Sequence, residues 1–357
     1  MAHSTDPKAR IAIVGGGGVG TLAAYNLEAG GRAETAMVLR SNYTAVNEHG
    51  FAIDSCQHGT VQGWRPRGGL IASSAAAATV TTRFDYAVCC TKNIPDVGPS
   101  VADLLTPYVT PGHTVIVLIQ NGINIETPLL AAFPRNVVLS GISLIGVIEE
   151  PHGHILHNDP DILKVGYFPN DSLSSESQER AARDFVELYA ASGKVTATYD
   201  ADVRWTRWRK LLYNAVYNPI AALTDIDSAR LRLCAREDKT APPRSHNALD
   251  HLILPAMREV QAAALAAHGV VLPDELLGQI VETEPITEHI LPSMQQDVRK
   301  GRAIECEVIL GETLRLGEAA GVAMPVLTTL YCLCRALQFR AREKAGLVDV
   351  DEMASRY

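Results

Sequence analysis

The chain has 357 residues, 47% of them hydrophobic and 20% charged, a globular composition that excludes a collagen-like or wholly disordered polypeptide. Lys and Arg number 32 against 40 Asp and Glu, a formal charge of −8, which argues against a nucleic-acid partner. No apolar run reaches the roughly 18 residues of a membrane span, and the polar start MAHSTDPKAR has no secretory pattern, so a cytoplasmic protein with no membrane partner is expected.

Ile11-Ala12-Ile13-Val14 predicts a short buried strand, followed at once by Gly15-Gly16-Gly17-Gly18-Val19-Gly20. A helix is expected over 21–29, ended by Gly30-Gly31. Strands follow over 35–39, 86–90 and 114–119, with a helix around 101–105. This alternation predicts a parallel sheet covered by helices on both faces. From about residue 200 onward, stretches rich in Ala, Leu and Glu read as helices. Two of them end alike, at His268-Gly269 with Pro273 beyond and at Ala320-Gly321 with Pro325 beyond. In each, glycine takes the left-handed terminating position and proline is free to open the next helix. Residues 236–247 (REDKTAPPRSHN) read as an exposed loop. The expected fold is α/β, with a doubly wound dinucleotide-binding domain over 1–200 and an all-α domain over 201–357.

Gly15-x-Gly17-x-x-Gly20 after a strand and before a helix is the context a pyrophosphate loop requires. The first glycine permits the turn, the second lets the backbone approach phosphate, and the third allows close helix–strand packing. Gly15, Gly17, Gly18, Val19 and Gly20 are therefore candidate cofactor contacts, backed by the free N–H groups of a helix start. At the end of the second strand, Leu39-Arg40-Ser41-Asn42 replaces the acid that would hold a ribose 2′-hydroxyl. A guanidinium beside a hydroxyl and an amide suits a 2′-phosphate, which favours NADP(H). Arg40 as a solvated strand-end charge is the plainer alternative.

Cysteines stand at 56, 89, 90, 234, 306, 332 and 334, an odd number without a CxxC pair. They are expected to be buried apolar thiols in a reducing compartment. His152, His154 and His157 have the look of a metal or acid–base cluster, but are read as part of a strand-connecting loop. No metal site is expected.

Lys210, Asn214 and Asn218 stand at i, i+4 and i+8, which on one continuous helix confines them to roughly 80° of arc. Such a face is either an active-site wall, with an ammonium as proton donor and amides to orient a ligand, or a solvated stripe. With this face, the glycine loop, Cys90-Thr91-Lys92, Ile119-Gln120-Asn121-Gly122, and Ser293-Met294-Gln295-Gln296-Asp297 followed by Glu305, the sequence resembles the ketopantoate reductases (2-dehydropantoate 2-reductases). These belong to the wider 6-phosphogluconate dehydrogenase-like group, and the resemblance spans about residues 10 to 340.

That resemblance implies a Rossmann-type first domain, bound NADP(H), and reduction of ketopantoate to pantoate in pantothenate biosynthesis. It implies Lys210 as general acid toward the ketone oxygen and Glu305 as its assistant, also placing substrate and cofactor. Asn121, Asn214, Asn218 and Ser293 fall on substrate-binding positions. Lys92, Asn121 and Glu305 fall on the cofactor side, and Arg40 on the residue that reads the 2′-phosphate. The partner is then a small 2-keto acid, and a homodimer is allowed. Two other readings stay open: a paralogous reductase of another 2-keto acid or carbonyl substrate in specialised metabolism, and a non-enzymatic NADP(H) sensor.

Plainer roles also remain for several of these residues. Ser293 with Gln296 fits a helix capping box, and Asn121-Gly122 fits the turn after a strand. Glu305 or Glu307 fits a solvated helix carboxylate. One helix running from Ser293 to Glu305 would hold them about 18 Å apart.

Overall fold

The computed structural model describes residues 7–73, 82–236 and 247–356, so residues 237–246 of the expected loop lie outside the described residues. The chain forms two compact units. One comprises Met1–Lys92, Pro99–Gln120 and Ile125–Val203; the other comprises Asn93–Gly98, Asn121–Asn124 and Arg204–Tyr357.

The first unit is built on one ten-stranded sheet, in the order β4-β3-β9-β8-β7-β6-β1-β2-β5 with β10 also beside β9. Its strands are β1 (Ala9–Val14), β2 (Ala33–Leu39), β3 (Phe51–Ser55), β4 (Gly59–Trp64), β5 (Leu70–Ala72), β6 (Tyr86–Cys89), β7 (Val115–Ile119), β8 (Val138–Glu149), β9 (His154–Phe168) and β10 (Thr196–Tyr199). The run from β5 to β8 is parallel. Ile11, Ile13, Met37, Leu39, Val88 and Val117 meet α1 (Gly18–Ala29) and α5 (Ser175–Ala190) in one core that includes Leu22, Leu27 and Phe185. Their alternating neighbours Ala12, Ala87, Cys89, Ile116 and Leu118 are buried too, which is why these strands read as unbroken apolar runs. Between β1 and α5 lie the short helices α2 (Tyr43–His49), α3 (Val101–Leu105) and α4 (Thr127–Ala132). Ser100 and Asp103 form a reciprocal capping box at the start of α3.

The sheet is mixed, not wholly parallel. β8 and β9 form a long antiparallel hairpin from Val138↔Phe168 to Glu149↔Ile155, and β3 pairs antiparallel with β4. The histidines belong here: His154 and His157 lie on β9 itself, where they face β3 in register with Ala52 and Ser55. His154 Nε2 meets Asp54 Oδ2 at 2.9 Å, and His157 Nδ1 meets Ser55 Oγ at 2.8 Å. Both rings are thus cross-strand partners rather than loop groups, and among the described residues no cluster of His, Cys, Asp or Glu is arranged to hold a metal.

The second unit is helical: α6 (Val203–Asn214), α7 (Tyr217–Thr224), α8 (Ser228–Arg236), α9 (Leu254–His268), α10 (Glu275–Val281), α11 (Ser293–Arg299), α12 (Glu312–Ala319), α13 (Pro325–Lys344) and α14 (Val350–Ala354). Single π-helical turns at Leu249–Ile253 and Glu307–Gly311 precede α9 and α12. α7 packs on α11 and α13, and α9 packs on α12. Trp208, fully buried, donates Nε1–H to His268 Nδ1 at 3.0 Å. Gly269 (φ +65) and Gly321 (φ +76) take the left-handed position, and Pro325 opens α13.

Neither the Lys210–Asn218 stretch nor the Ser293–Glu305 stretch is one continuous helix. α6 stops at Asn214 and α7 starts at Tyr217, because Pro219 has no N–H and its ring would strike the carbonyl of Ala215 in a continuous helix. α11 ends at Arg299, and Gly301 at φ +65 turns the chain away, so no single helix joins Ser293 to Glu305. The cysteines also divide: Cys89, Cys306 and Cys334 are buried, whereas Cys56, Cys234 and Cys332 are exposed. Burial pushes the Cys306 thiol up to about 12. No helix among the described residues is long and apolar enough to cross a membrane.

Candidate active site

The glycine loop has the geometry its sequence predicts. Gly15 sits at φ +103, where a Cβ would come within 2.7 Å of the Thr91 nitrogen, and a Cβ on Gly20 would stand 1.8 Å from the Gly15 carbonyl. Gly17, by contrast, faces open space, with nothing within 4 Å of its Cβ position. It is the N-cap of α1, and no side chain caps that terminus. The α1 start thus offers the N–H groups of Gly18, Val19 and Gly20 beside an open backbone, a ready anion cradle. Thr21 Oγ1 and Asn42 Nδ2 both donate to the Gly16 carbonyl, at 3.1 and 2.8 Å, and fix the loop from behind.

Beyond β2, Arg40 and Ser41 are exposed and Asn42 is buried. Asn42 does not join them as a phosphate ligand, because its amide nitrogen is committed to Gly16 and to Glu149 Oε1, the latter at 2.8 Å. Lys92 is exposed beyond β6, next to Thr91, whose carbonyl and hydroxyl oxygens accept from Gln120 Nε2 at 2.7 and 3.1 Å.

In the helical unit, residues far apart in sequence meet in one hydrogen-bonded row. Ser293 Oγ donates to Asn218 Oδ1 (3.3 Å), Asn218 Nδ2 to Asn214 Oδ1 (3.1 Å), Asn214 Nδ2 to Asn121 Oδ1 (3.4 Å), and Asn121 Nδ2 to Glu305 Oε2 (3.2 Å). The direction of this row is fixed at both ends. A carboxylate only accepts, so Asn121 must turn its amide nitrogen to Glu305 and its oxygen to Asn214. At the far end the Met294 backbone N–H, which only donates, holds Asn218 Oδ1 at 2.9 Å. Both constraints orient all three amides the same way. Lys210 is half-buried one turn before Asn214 on α6, so the two side chains share a helix face.

Placement of these groups follows from local structure. The Asn121–Asn124 segment turns at Gly122 (φ +102), whose missing side chain leaves room for Val308, 2.8 Å from the Cβ position. Ile123 N–H donates to the Val308 carbonyl, and the buried Arg207 donates to the Gly122 carbonyl, both at 3.0 Å. Asn121-Gly122 is therefore a turn and also delivers Asn121 to the row. Asn218 reaches the row from α7 rather than α6, yet its bond to Asn214 restores the pairing expected of one helix. Ser293 does not cap: Pro292 holds the N-cap position with no side-chain bond, Ser293 is the first helical residue, and Gln296 Nε2 bonds the Leu291 carbonyl instead.

Glu305 and Glu307 are both buried, 4% and 8% exposed, not solvated. Glu305 Oε1 accepts the Asn93 backbone N–H at 3.0 Å, a partner that sequence reasoning missed because a backbone donor leaves no residue-type signal. Arg207 was missed as well, because it is one of three arginines in α6 and its residue type does not set it apart. Glu307 accepts from Tyr331 Oη (2.7 Å), Arg335 (2.6 Å) and Arg315 (3.3 Å). Burial opposes charge on Glu307, but these bonds outweigh it and hold the carboxyl below its usual range.

The sheet unit with its glycine loop and the helical unit with its amide row are each matched by a family model. Residues 11–170 match the sequence model of ketopantoate reductase PanE/ApbA, and residues 202–338 match that of the ketopantoate reductase PanE/ApbA C-terminal region. The chain belongs to the ketopantoate reductase family. It is 37% identical over 364 residues to a Saccharomyces cerevisiae protein, "Uncharacterized protein YDL144C", covering 96% of this chain and 97% of the yeast one. Among solved structures, 2-dehydropantoate 2-reductase from Methylococcus capsulatus matches with a TM-score of 0.76 at 28% identity, covering 93% of this chain and 97% of that one. The ternary structure of D-mandelate dehydrogenase with NADH and anilino(oxo)acetate matches with a TM-score of 0.77 at 19% identity, over 93% and 99% of the two chains; at that identity the likeness is one of fold.

Proposed function

We propose that this protein is an NADPH-dependent reductase of a small 2-keto acid, with 2-dehydropantoate as substrate and pantoate as product. The observation that carries the reading is the one-way row from Ser293 to Glu305 beside Lys210. Such a row is preorganised: its dipoles are set before a ligand arrives and need no rearrangement.

The residues present fit a dinucleotide. The open backbone at Gly17, the uncapped α1 start and exposed Arg40 supply a pyrophosphate cradle and a cation for a 2′-phosphate. NADPH, when bound, supplies the hydride. Lys210 then serves as the general acid, its ammonium stabilising charge that develops on the ketone oxygen and delivering the proton there. Asn214, Asn218 and Ser293 orient the keto acid, and Asn121 transmits their alignment to Glu305. Glu305 holds the lysine side of the site electrostatically, and Lys92 adds a cation on the cofactor side.

A second reading, reduction of another 2-keto acid, rests on the identities. The chain is nearer to the yeast protein, at 37%, than to the reductase from Methylococcus capsulatus, at 28%, and acyl-group selection depends on pocket placement that such distances do not preserve. The experiment is NADPH oxidation with 2-dehydropantoate beside a panel of branched, linear and aromatic 2-keto acids. Turnover with 2-dehydropantoate supports the first substrate, turnover with another member alone supports the second, and no turnover with any of them rejects the reductase reading.

A further inference from the structure

One buried residue grips both the chain that carries Glu305 and the segment whose Asn93 N–H holds its carboxylate. Gln338 on α13 is 1% exposed. Its Oε1 accepts the backbone N–H of Ile304 at 2.9 Å, directly before Glu305. Its Nε2 donates to Asp96 Oδ1 at 3.2 Å and Oδ2 at 3.4 Å. Asp96 lies three residues after Asn93, whose backbone N–H is the donor to Glu305 Oε1. Arg335, one turn earlier on α13, reinforces the same link by bonding Asp96 at 3.1 Å and Glu307 at 2.6 Å.

We infer that Gln338, acting through Asp96, is a positioning residue for Glu305: it sets the spacing between the carboxylate and the Asn93 N–H that orients it. This inference rests on the proposed reductase reading for its catalytic consequence, but not for its structural one. An amide is the side chain that can do this, since it must accept from Ile304 and donate to Asp96 at once. Gln338 is buried where a polar residue is costly unless both functions are met, and both are met. The chain turns from an irregular segment into the π-helical turn Glu307–Gly311 at this point, so Glu305 has no regular helix on its N-terminal side to hold it. The clamp replaces that missing support.

Two variants test the inference in the full-length protein. Gln338→Met keeps the side-chain length and removes both amide functions. Asp96→Ala acts nearer the surface, since the Asp96 side chain is 18% exposed, and so guards against a core defect. Amide hydrogen exchange across residues 93–98, measured without substrate, is expected to rise in both variants. Turnover with the best 2-keto acid is expected to fall on the order of tenfold in kcat, as small misplacements of catalytic groups do. In a Glu305→Gln background, adding Gln338→Met is expected to change kcat less than about twofold, because both substitutions act on one element. Unchanged exchange in both variants overturns the clamp. An equal fold loss of kcat in both backgrounds overturns the positioning role, since a general structural defect would be additive. If the wild-type protein reduces no 2-keto acid, the reductase reading fails while the exchange measurement still decides the clamp.

Discussion

The Met294 backbone N–H donates to Asn218 Oδ1 at 2.9 Å, and this single bond decides which way the Asn218 amide faces. With its oxygen held, Asn218 can only donate onward to Asn214, and every later amide in the row inherits that sense. The first turn of α11 therefore aligns a row that ends on a carboxylate carried by a different part of the chain.

Asn218→Asp tests that polarity. The new carboxylate can still accept from Met294 and Ser293 but has nothing to donate to Asn214, so two acceptors face each other in a buried site. Loss of stability of about 1–3 kcal/mol is expected from the unsatisfied group, read by urea unfolding. The loss in kcat/KM is expected to exceed what that destabilisation explains at a temperature where the variant is fully folded. Full activity in the folded variant would show that the row has no catalytic use.

Gly20→Ala and Gly17→Ala are expected to separate fold from ligand binding. At Gly20 the added methyl meets the Gly15 backbone at 1.8 Å, so the loop must move, and both the melting temperature and nucleotide binding should fall. At Gly17 the methyl meets no protein atom within 4 Å. Gly17→Ala should therefore melt like wild type yet bind NADPH more weakly, as followed by nicotinamide fluorescence. Unimpaired NADPH binding there would remove the pyrophosphate from this loop.

Arg40→Ala probes cofactor choice. Loss of a charge-assisted contact worth about 1.5–3 kcal/mol should weaken NADPH binding roughly 10- to 150-fold at RT ln 10 of about 1.4 kcal/mol, while NADH binding stays within about twofold. Parallel titrations with the two nucleotides read the difference, and equal weakening of both would contradict a 2′-phosphate role.

Asp161 on β9 gives a prediction for stability against pH. Burial raises its carboxyl to about 6 from 3.8, only partly opposed by the Tyr189 hydroxyl bond at 2.7 Å. The native state thus binds this proton more tightly than the unfolded chain does. Its stabilising contribution is fully present below about pH 4 and is lost as pH rises through about 6. About 2–3 kcal/mol of stability is at stake across that window. Asp161→Asn should flatten the decline in unfolding free energy between pH 4 and 7 relative to wild type, measured by denaturant titration at each pH. An unchanged slope would remove Asp161 from the titration.

Much of this architecture was legible in the residues. Ile11–Val14, the 35–39 run, Tyr86–Cys90 and the 114–119 run read as strands because the parallel strands are buried on both faces. The glycine loop was legible because its sterics admit no other residue at Gly15 and Gly20. The β8–β9 hairpin was not, since Leu144 and Ile162 lie exposed, 40% and 37%, and the polar run 157–161 (HNDPD) breaks any hydrophobic period. Both helix interruptions have a sign in the residues: Pro219 forces the gap after Asn214, and Gly301 stops α11 before Glu305. A solvated Glu305 stays open as the plainer alternative in the sequence because its partners, Asn93 and Asn121, come from segments about 200 residues away. Local pattern carries the elements and the Asn214–Asn218 pair, but the pairing of these two with positions 121, 293 and 305 is tertiary, and no spacing rule reveals it.

Steady-state NADPH oxidation by wild type and Lys210→Ala, with 2-dehydropantoate and a panel of other 2-keto acids, decides whether Lys210 is the general acid of a 2-keto acid reductase. A kcat/KM at or above roughly 10⁴ M⁻¹s⁻¹ is expected for at least one of these acids, with a loss of at least about 10²-fold in kcat on removing the lysine. NADPH that binds normally but is never oxidised with any member of the panel, or a Lys210→Ala enzyme that turns over like wild type, would contradict that role.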